Sequence, residues 1–294
     1  MTHSQAHTTF RGLPTVAGDA VTRIVVDIGN TRVKWGIVGP DGRFSETGAE
    51  RVENEAALRS AWGRLLEVGP THLAVSSVNP PATARLEDDL RTRTIDQITW
   101  YRSAGDVDVP HRLETPETTG ADRALAVLAA LDRRGNRGPG IVISCGTAMT
   151  VEVIDPNGFW DGGAIAPGLF AMAKALGDRT AQLPVVRFNG DPNLAAEIPD
   201  GWGRSTESAL RAGISWGTVG ALKELVDRAL RPYRNLAFES SDSSEQLPWI
   251  IWTGGDAEGF SRRGFGGDAD VALDLVLEGI ALSAFGGRSE RDSK

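Results

Sequence analysis

The chain has 294 residues, 40% of them hydrophobic, a formal net charge of −8 and a single cysteine, Cys145. That length can bury a sizeable core and suggests two domains. The charge argues against nucleic acid or an anionic membrane as partner. The lone cysteine excludes an internal disulfide framework and fits a reducing cytoplasmic compartment, and no apolar run approaches the roughly 20 residues that span a bilayer.

The opening segment has no apolar stretch followed by a small-residue cleavage site, so residues 1–22 read as a polar, disordered N-terminal extension rather than a signal peptide. Arg23–Asp27, with Ile24, Val25 and Val26 in sequence, predicts a buried strand ending in a carboxylate. Strands follow at Lys34–Val38 and Arg43–Gly48, turned by Gly39-Pro40-Asp41-Gly42. Helical spacing covers Glu55–Glu67, a short strand His72–Ser77, a helix Pro80–Leu90 with proline in its first turn, and a strand Gln97–Arg102. Glu114–Thr119 is turn-like, and an alanine-rich helix runs from Gly120 to Leu131. Strands are expected at Ile141–Ser144, Met149–Ile154 and Phe159–Ile165, then helices at Leu169–Leu176 and Arg204–Leu230, the latter bent near Gly213 or Gly217. A polar loop at Ser240–Gln246, a buried strand Trp249–Thr253 and a closing helix Leu273–Phe285 complete the chain.

The pattern is duplicated: an apolar strand runs into a glycine–hydroxyl turn and a return strand near Asp27 and again near Ser144. Alternating strands and helices place the chain in the α/β class, with halves at 23–120 and 121–294. In Asp27-Ile28-Gly29-Asn30-Thr31-Arg32-Val33-Lys34 the glycine permits close backbone approach. Asn30, Thr31 and exposed amides can donate to phosphate oxygens, Arg32 or Lys34 can add positive charge, and Asp27 would face a metal–phosphate assembly. Ser144-Cys145-Gly146-Thr147-Ala148-Met149-Thr150 repeats that logic. Either segment alone also fits an ordinary hairpin turn; the pair is what points to polyphosphate. Neither a P-loop nor a dinucleotide fingerprint is present. Gly120-Ala121-Asp122-Arg123 offers a proton acceptor and an anion partner at a helix start, where an acidic residue can equally serve the helix dipole alone. Gly162–Gly168 and Thr253-Gly254-Gly255-Asp256 supply further glycine turns; the second could seat a purine ring. Cys145 has no nearby histidine and reads as core, and His3, His7, His72 and His111 have no metal-ligand spacing.

In this order the motifs resemble the type III pantothenate kinase family over about Arg23 to Ala284. Asp27-x-Gly29-Asn30-Thr31, Gly120-x-Asp122-Arg123, Gly146-Thr147-Ala148-x-Thr150, Gly162–Leu169 with Thr180-Ala181-Gln182-Leu183-Pro184, the Thr206–Gly217 segment, Thr253-Gly254-Gly255 and Leu277-Glu278-Gly279 carry the likeness. The resemblance implies a duplicated actin-like (ribonuclease H-like) fold, two mixed-sheet halves with a cleft between them, and a homodimer. It implies transfer of the ATP γ-phosphate to the 4′-hydroxyl of pantothenate, the first committed step of coenzyme A synthesis, with Mg²⁺ and a monovalent cation, K⁺ or NH₄⁺. On that basis Asp122 is the general base, residues Asp27–Lys34 and Thr147 bind ATP, and Gly120, Ala121, Asp122, Arg123 and Thr206 contact pantothenate. Two departures stand out: Ser144 occupies the position of the family's cation-binding Asp, with Glu152 as a possible compensating carboxylate, and Leu113 stands where a substrate-contacting Tyr is usual. A non-catalytic accessory factor and another small-molecule kinase of the same fold are the competing readings.

Overall fold

The computed structural model describes residues 21–66, 71–91, 93, 95, 97–135, 139–188, 198–233, 248–265 and 269–286. The expected N-terminal extension, but for its last two residues, and the polar loop expected at 240–246 lie outside them. The chain divides into two compact units: Met1–Asp108 with Glu114–Ala129 and Val276–Lys294, and Val109–Leu113 with Ala130–Leu275.

The first unit is built on β1 (Thr22–Ile28), β2 (Arg32–Val38), β3 (Phe44–Arg51), β4 (Thr71–Ser77) and β5 (Gln97–Tyr101), ordered β3-β2-β1-β4-β5. β1 pairs antiparallel with β2 and parallel with β4, so it is central, and Ile24, Val25 and Val26 are all fully buried. A strand covered on both faces needs this unbroken apolar run. Ile24, Val26, Ile28, Val33 and Trp35 face a core with Trp62 and Leu65 of α1 (Glu55–Leu65) and Leu86 and Leu90 of α2 (Pro80–Leu90). The alternate residues of β1 face the other side. There Arg23 lies 5.8 Å from the Phe285 ring, and Tyr101 on β5 hydrogen-bonds Ser283. Both partners sit on the last helix, α7 (Leu275–Phe285). It crosses α3 (Ala121–Arg134) so closely that a Cβ on Gly279 would stand 2.1 Å from the Leu125 carbonyl. Glycine is required at that crossing.

The second unit repeats the plan. Its strands are β6 (Gly140–Cys145), β7 (Ala148–Ile154), β8 (Trp160–Pro167), β9 (Trp249–Thr253) and β10 (Asp270–Val271), ordered β10-β9-β6-β7-β8. β6 is antiparallel to β7 and parallel to β9, as β1 is to β2 and β4. Ile141, Ile143 and Cys145 on one face of β6 pack with Leu169 and Ala173 of α4 (Leu169–Arg179), Leu222 and Val226 of α5 (Thr206–Leu230) and Phe260 of α6 (Ala257–Phe265). Two sheets of one order and one set of strand directions make the duplicated actin-like fold that the sequence resemblance implies. The sequence alone predicts no element at 257–265 or 270–271. A two-residue strand has no periodicity to read, and α6 follows its strand after a glycine turn that looks like loop.

Candidate active site

In the first unit β1 ends at Asp27–Ile28 and the chain turns through Gly29, Asn30 and Thr31. Hydrogen bonds fix the turn. The Gly29 amide donates to the Arg32 carbonyl at 3.0 Å, the Thr31 carbonyl accepts from the Val52 amide at 3.0 Å, and the Ile28 carbonyl accepts from the Val78 amide at 3.1 Å. Another comes from a side chain: Asn79 Nδ2 donates to the Gly29 carbonyl at 3.2 Å. Of the expected ATP-binding run, Ile28 and Val33 point into the core, Asn30 and Arg32 are exposed, and Asp27 and Lys34 stand opposite each other on β1 and β2.

Asp27 is the unusual group here. Its Oδ1 is sealed from solvent with no hydrogen-bond partner, and so is Oγ of Ser76, its register neighbour on β4. Burial pushes the Asp27 carboxyl up to about 7, the Asp122 carboxylate nearby adds to the rise, and Lys34 opposes it. A shielded carboxylate oxygen with an unmet acceptor is costly on its own and suits a cation, such as a Mg²⁺ carried by nucleotide phosphates. That donor chemistry fits the divalent ion the resemblance implies. Among the described residues no cluster of three or more His, Cys, Asp or Glu side chains is present, and a phosphate-carried Mg²⁺ needs only one or two carboxylates.

Asp122 enters the same unit at the start of α3. A 3₁₀ turn at Pro116–Thr118 precedes it, and the Ala104 amide ties down the Thr119 carbonyl at 2.7 Å. Ala121 is fully buried and anchors the helix start, while Asp122 and Arg123 are partly exposed. The Asp122 carboxylate folds over Gly120, where a Cβ would stand 2.5 Å from Oδ1, and accepts the Arg123 amide at 2.9 Å. The structure therefore brings the Asp27–Lys34 turn and the Gly120–Arg123 segment together electrostatically within one unit.

In the second unit the corresponding turn is closed by the Gly146 amide donating to the Ala148 carbonyl at 3.1 Å, leaving Thr147 exposed. The Thr147 carbonyl accepts from the Gly168 amide, as that of Thr31 does from Val52, and the Cys145 carbonyl accepts from the Asp256 amide, each at 3.1 Å. Gly254 holds a φ of +94°, and a Cβ there would stand 2.3 Å from the Cys145 carbonyl. Both facts demand glycine. Ser144 pairs in register with Thr150 and Thr253, forming a row of hydroxyls on one sheet face. Burial, with Asp256 adding to it, pushes the Cys145 thiol up, so it is no nucleophile. Glu152, the candidate substitute for a carboxylate at 144, is buried and accepts from the Trp160 indole at 3.1 Å. Leu113 is partly buried, its amide donating to His111 Nδ1 at 3.2 Å, in a segment that bridges to Trp160. Thr206 is exposed at the first residue of α5, whose start is capped by Ser205.

Ser76 and Asn79 were absent from the residues singled out by sequence. Asn79 precedes Pro80-Pro81, a helix-start signature, but its bond to a carbonyl 50 residues away leaves no local mark.

Paired sheets of this order, each with a glycine–hydroxyl turn on its central hairpin, define the duplicated actin-like fold. A crystal structure of a conserved Campylobacter jejuni protein of the Baf family has the same fold, with a TM-score of 0.52 at 17% identity over 88% of this chain and 96% of that one. The type III pantothenate kinase family model matches residues 23–228. The type III pantothenate kinase of Chlorobaculum tepidum is 34% identical over 250 residues, covering 82% of this chain and 86% of that protein. That of Alkalilimnicola ehrlichii is 35% identical over 270 residues, covering 89% and 97%. The chain belongs to the type III pantothenate kinase family. Kinases of this kind use ATP with a divalent metal ion. No helix among the described residues is long and apolar enough to cross a membrane.

Proposed function

We propose that the protein phosphorylates pantothenate at its 4′-hydroxyl with ATP, giving 4′-phosphopantothenate for coenzyme A synthesis, and that it works in the cytoplasm as a homodimer. The observation that carries the chemistry is the pairing of Asp27 and Asp122 within one unit, together with family membership. Phosphoryl transfer asks the protein chiefly to align the acceptor and offset charge.

In this reading the Asp27–Lys34 turn and Thr147 bind the ATP phosphates through backbone amides and hydroxyls. Mg²⁺ carried by the nucleotide would supply charge neutralisation to the phosphates. Asp27, with its unmet acceptor, would be the residue to hold that ion. Asp122 takes the proton from the 4′-hydroxyl as attack proceeds, held in aim by the Arg123 amide. Arg123 pairs with the pantothenate carboxylate, and Gly120, Ala121 and Thr206 line the acceptor. Ser144 weakens the monovalent-cation requirement: a hydroxyl in a row of hydroxyls binds K⁺ or NH₄⁺ less tightly than a carboxylate would.

The test is an ADP-release assay over a panel of acceptors: pantothenate, hexoses, N-acetylmannosamine and acetate. Turnover with pantothenate alone supports the assignment. Preference for another acceptor would move the chain to a different kinase activity, and no turnover with any would favour an accessory role.

A further inference from the structure

The side chain of Asn79 makes two contacts that lie in different parts of the first unit. Its Oδ1 accepts the Ala82 amide at 3.2 Å, capping α2, while its Nδ2 donates to the Gly29 carbonyl at 3.2 Å. The amide cannot rotate without losing both, because one end only accepts and the other only donates. Its backbone is equally fixed. The Asn79 amide donates to Ser77 Oγ at 3.1 Å, and the Asn79 carbonyl accepts from Thr83 Oγ1 and the Thr83 amide, both at 3.0 Å. Ser77 Oγ and Thr83 Oγ1 are themselves 2.5 Å apart and buried.

The target of this rigid arm matters for the turn. The carbonyl of Gly29 and the amide of Asn30 belong to one trans peptide, so they point in opposite directions. Holding the Gly29 oxygen against Asn79 aims the Asn30 N–H the other way, outward at the exposed tip of the turn. A flip of this peptide would swing φ of Asn30 into the left-handed region, which asparagine tolerates better than most residues. The flipped form would present a carbonyl oxygen, a repulsive group, to an anion.

We infer that Asn79 is a positioning residue for phosphate binding: it locks the Gly29–Asn30 peptide with its N–H outward, and does so independently of its role as the cap of α2. This rests on the proposed phosphate role of the turn. Serine and aspartate are as good as asparagine at a helix N-cap, but aspartate has no proton to give to Gly29, and the serine hydroxyl stops one bond short of the position of Nδ2. The two jobs can therefore be separated by substitution.

The experiment is calorimetric titration of full-length protein with Mg²⁺ and a non-hydrolysable ATP analogue, alongside melting curves and steady-state kinetics, for Asn79→Ser, Asn79→Asp and Asn79→Ala. The expected result is that Asn79→Ser and Asn79→Asp lose the Gly29 bond but keep the cap, so their Tm falls less than that of Asn79→Ala. They bind the analogue about five- to tenfold more weakly, the worth of one net hydrogen bond, with KM for ATP raised in step and KM for pantothenate unchanged. The serine variant separates loss of the donor from the added charge of aspartate. Asn79→Ala loses Tm as well as affinity. Wild-type affinity in the serine variant, or affinity losses that follow Tm across all three, would leave Asn79 a helix cap only and overturn the inference. Wild-type protein that binds no Mg²⁺–nucleotide would instead overturn the phosphate reading itself, a result visible before any variant is made.

Discussion

In the first unit the turn after β1 hangs between Asp27 and Lys34, register partners of opposite charge, whereas the turn after β6 in the second unit has Ser144 facing Thr150. The backbone plan is otherwise shared. Each turn is closed by a glycine amide, and each gives the carbonyl of its threonine, Thr31 or Thr147, to the amide of a residue at or just past the end of the third strand. The tethers differ in kind. The first turn is held by an asparagine side chain, the second by the close approach of Gly254 to the Cys145 carbonyl. Duplication thus preserves backbone hydrogen bonding, which the fold needs twice, while the acid–base pair across the central hairpin is found at one copy. Asp122 lies in the unit that already carries Asp27.

The comparison is broken most severely at Asp122. Asp122→Asn should lower kcat by about 10²–10⁴-fold, the range for loss of a general base, while leaving nucleotide affinity intact. Steady-state kinetics with a nucleotide titration checks it, and near-native turnover would remove Asp122 from the role.

Next in size is the second turn's tether. Gly254→Ala must place a Cβ on a backbone with φ of +94° and against the Cys145 carbonyl, and should cost about 3 kcal/mol, the upper end for backbone strain. Gly29→Ala, whose Cβ would meet the Arg32 carbonyl at 3.1 Å, should cost less. Chemical denaturation of the two variants ranks them, and equal losses would deny that the turns are tethered differently.

A smaller effect concerns pH. The Asp27 carboxyl titrates at about 7 in the folded protein against 3.8 in its ordinary state. Between those values the folded chain keeps a proton the unfolded chain releases, so stability falls as pH rises through about 4 to 7 and levels off above. Nucleotide-free Asp27→Asn should lack that component of the fall, so the wild type loses Tm relative to the variant across this window. Parallel Tm profiles would show that Asp27 is not buried as described.

The smallest effect is expected at Ser144. Ser144→Asp puts a carboxylate into the hydroxyl row of the second unit and should lower the K⁺ concentration for half-activation severalfold. An unchanged or absent K⁺ response in both proteins would show that this row binds no cation.

Much of this was legible in the sequence for physical reasons. Central strands are apolar on both faces, so Ile24–Val26 and Ile141–Ile143 announced β1 and β6, and Pro80 announced the start of α2. Glycine turns after those strands marked both halves of the duplication. The electrostatic meaning of Asp27 was not legible, because its isolation depends on what surrounds Oδ1 in three dimensions. Nor was the use made of Glu152: in sequence it is a spare carboxylate, but Trp160 already donates to it. The tether from Asn79 joins segments 50 residues apart, and no periodicity encodes such a contact.

The account is tested most directly by incubating the wild-type protein with Mg²⁺–ATP, pantothenate and K⁺ and determining the product by mass and ³¹P NMR. It predicts one phosphate ester on the primary 4′-hydroxyl for each ADP released. ADP released without a phosphorylated pantothenate, or no ADP released under any cation, would contradict it.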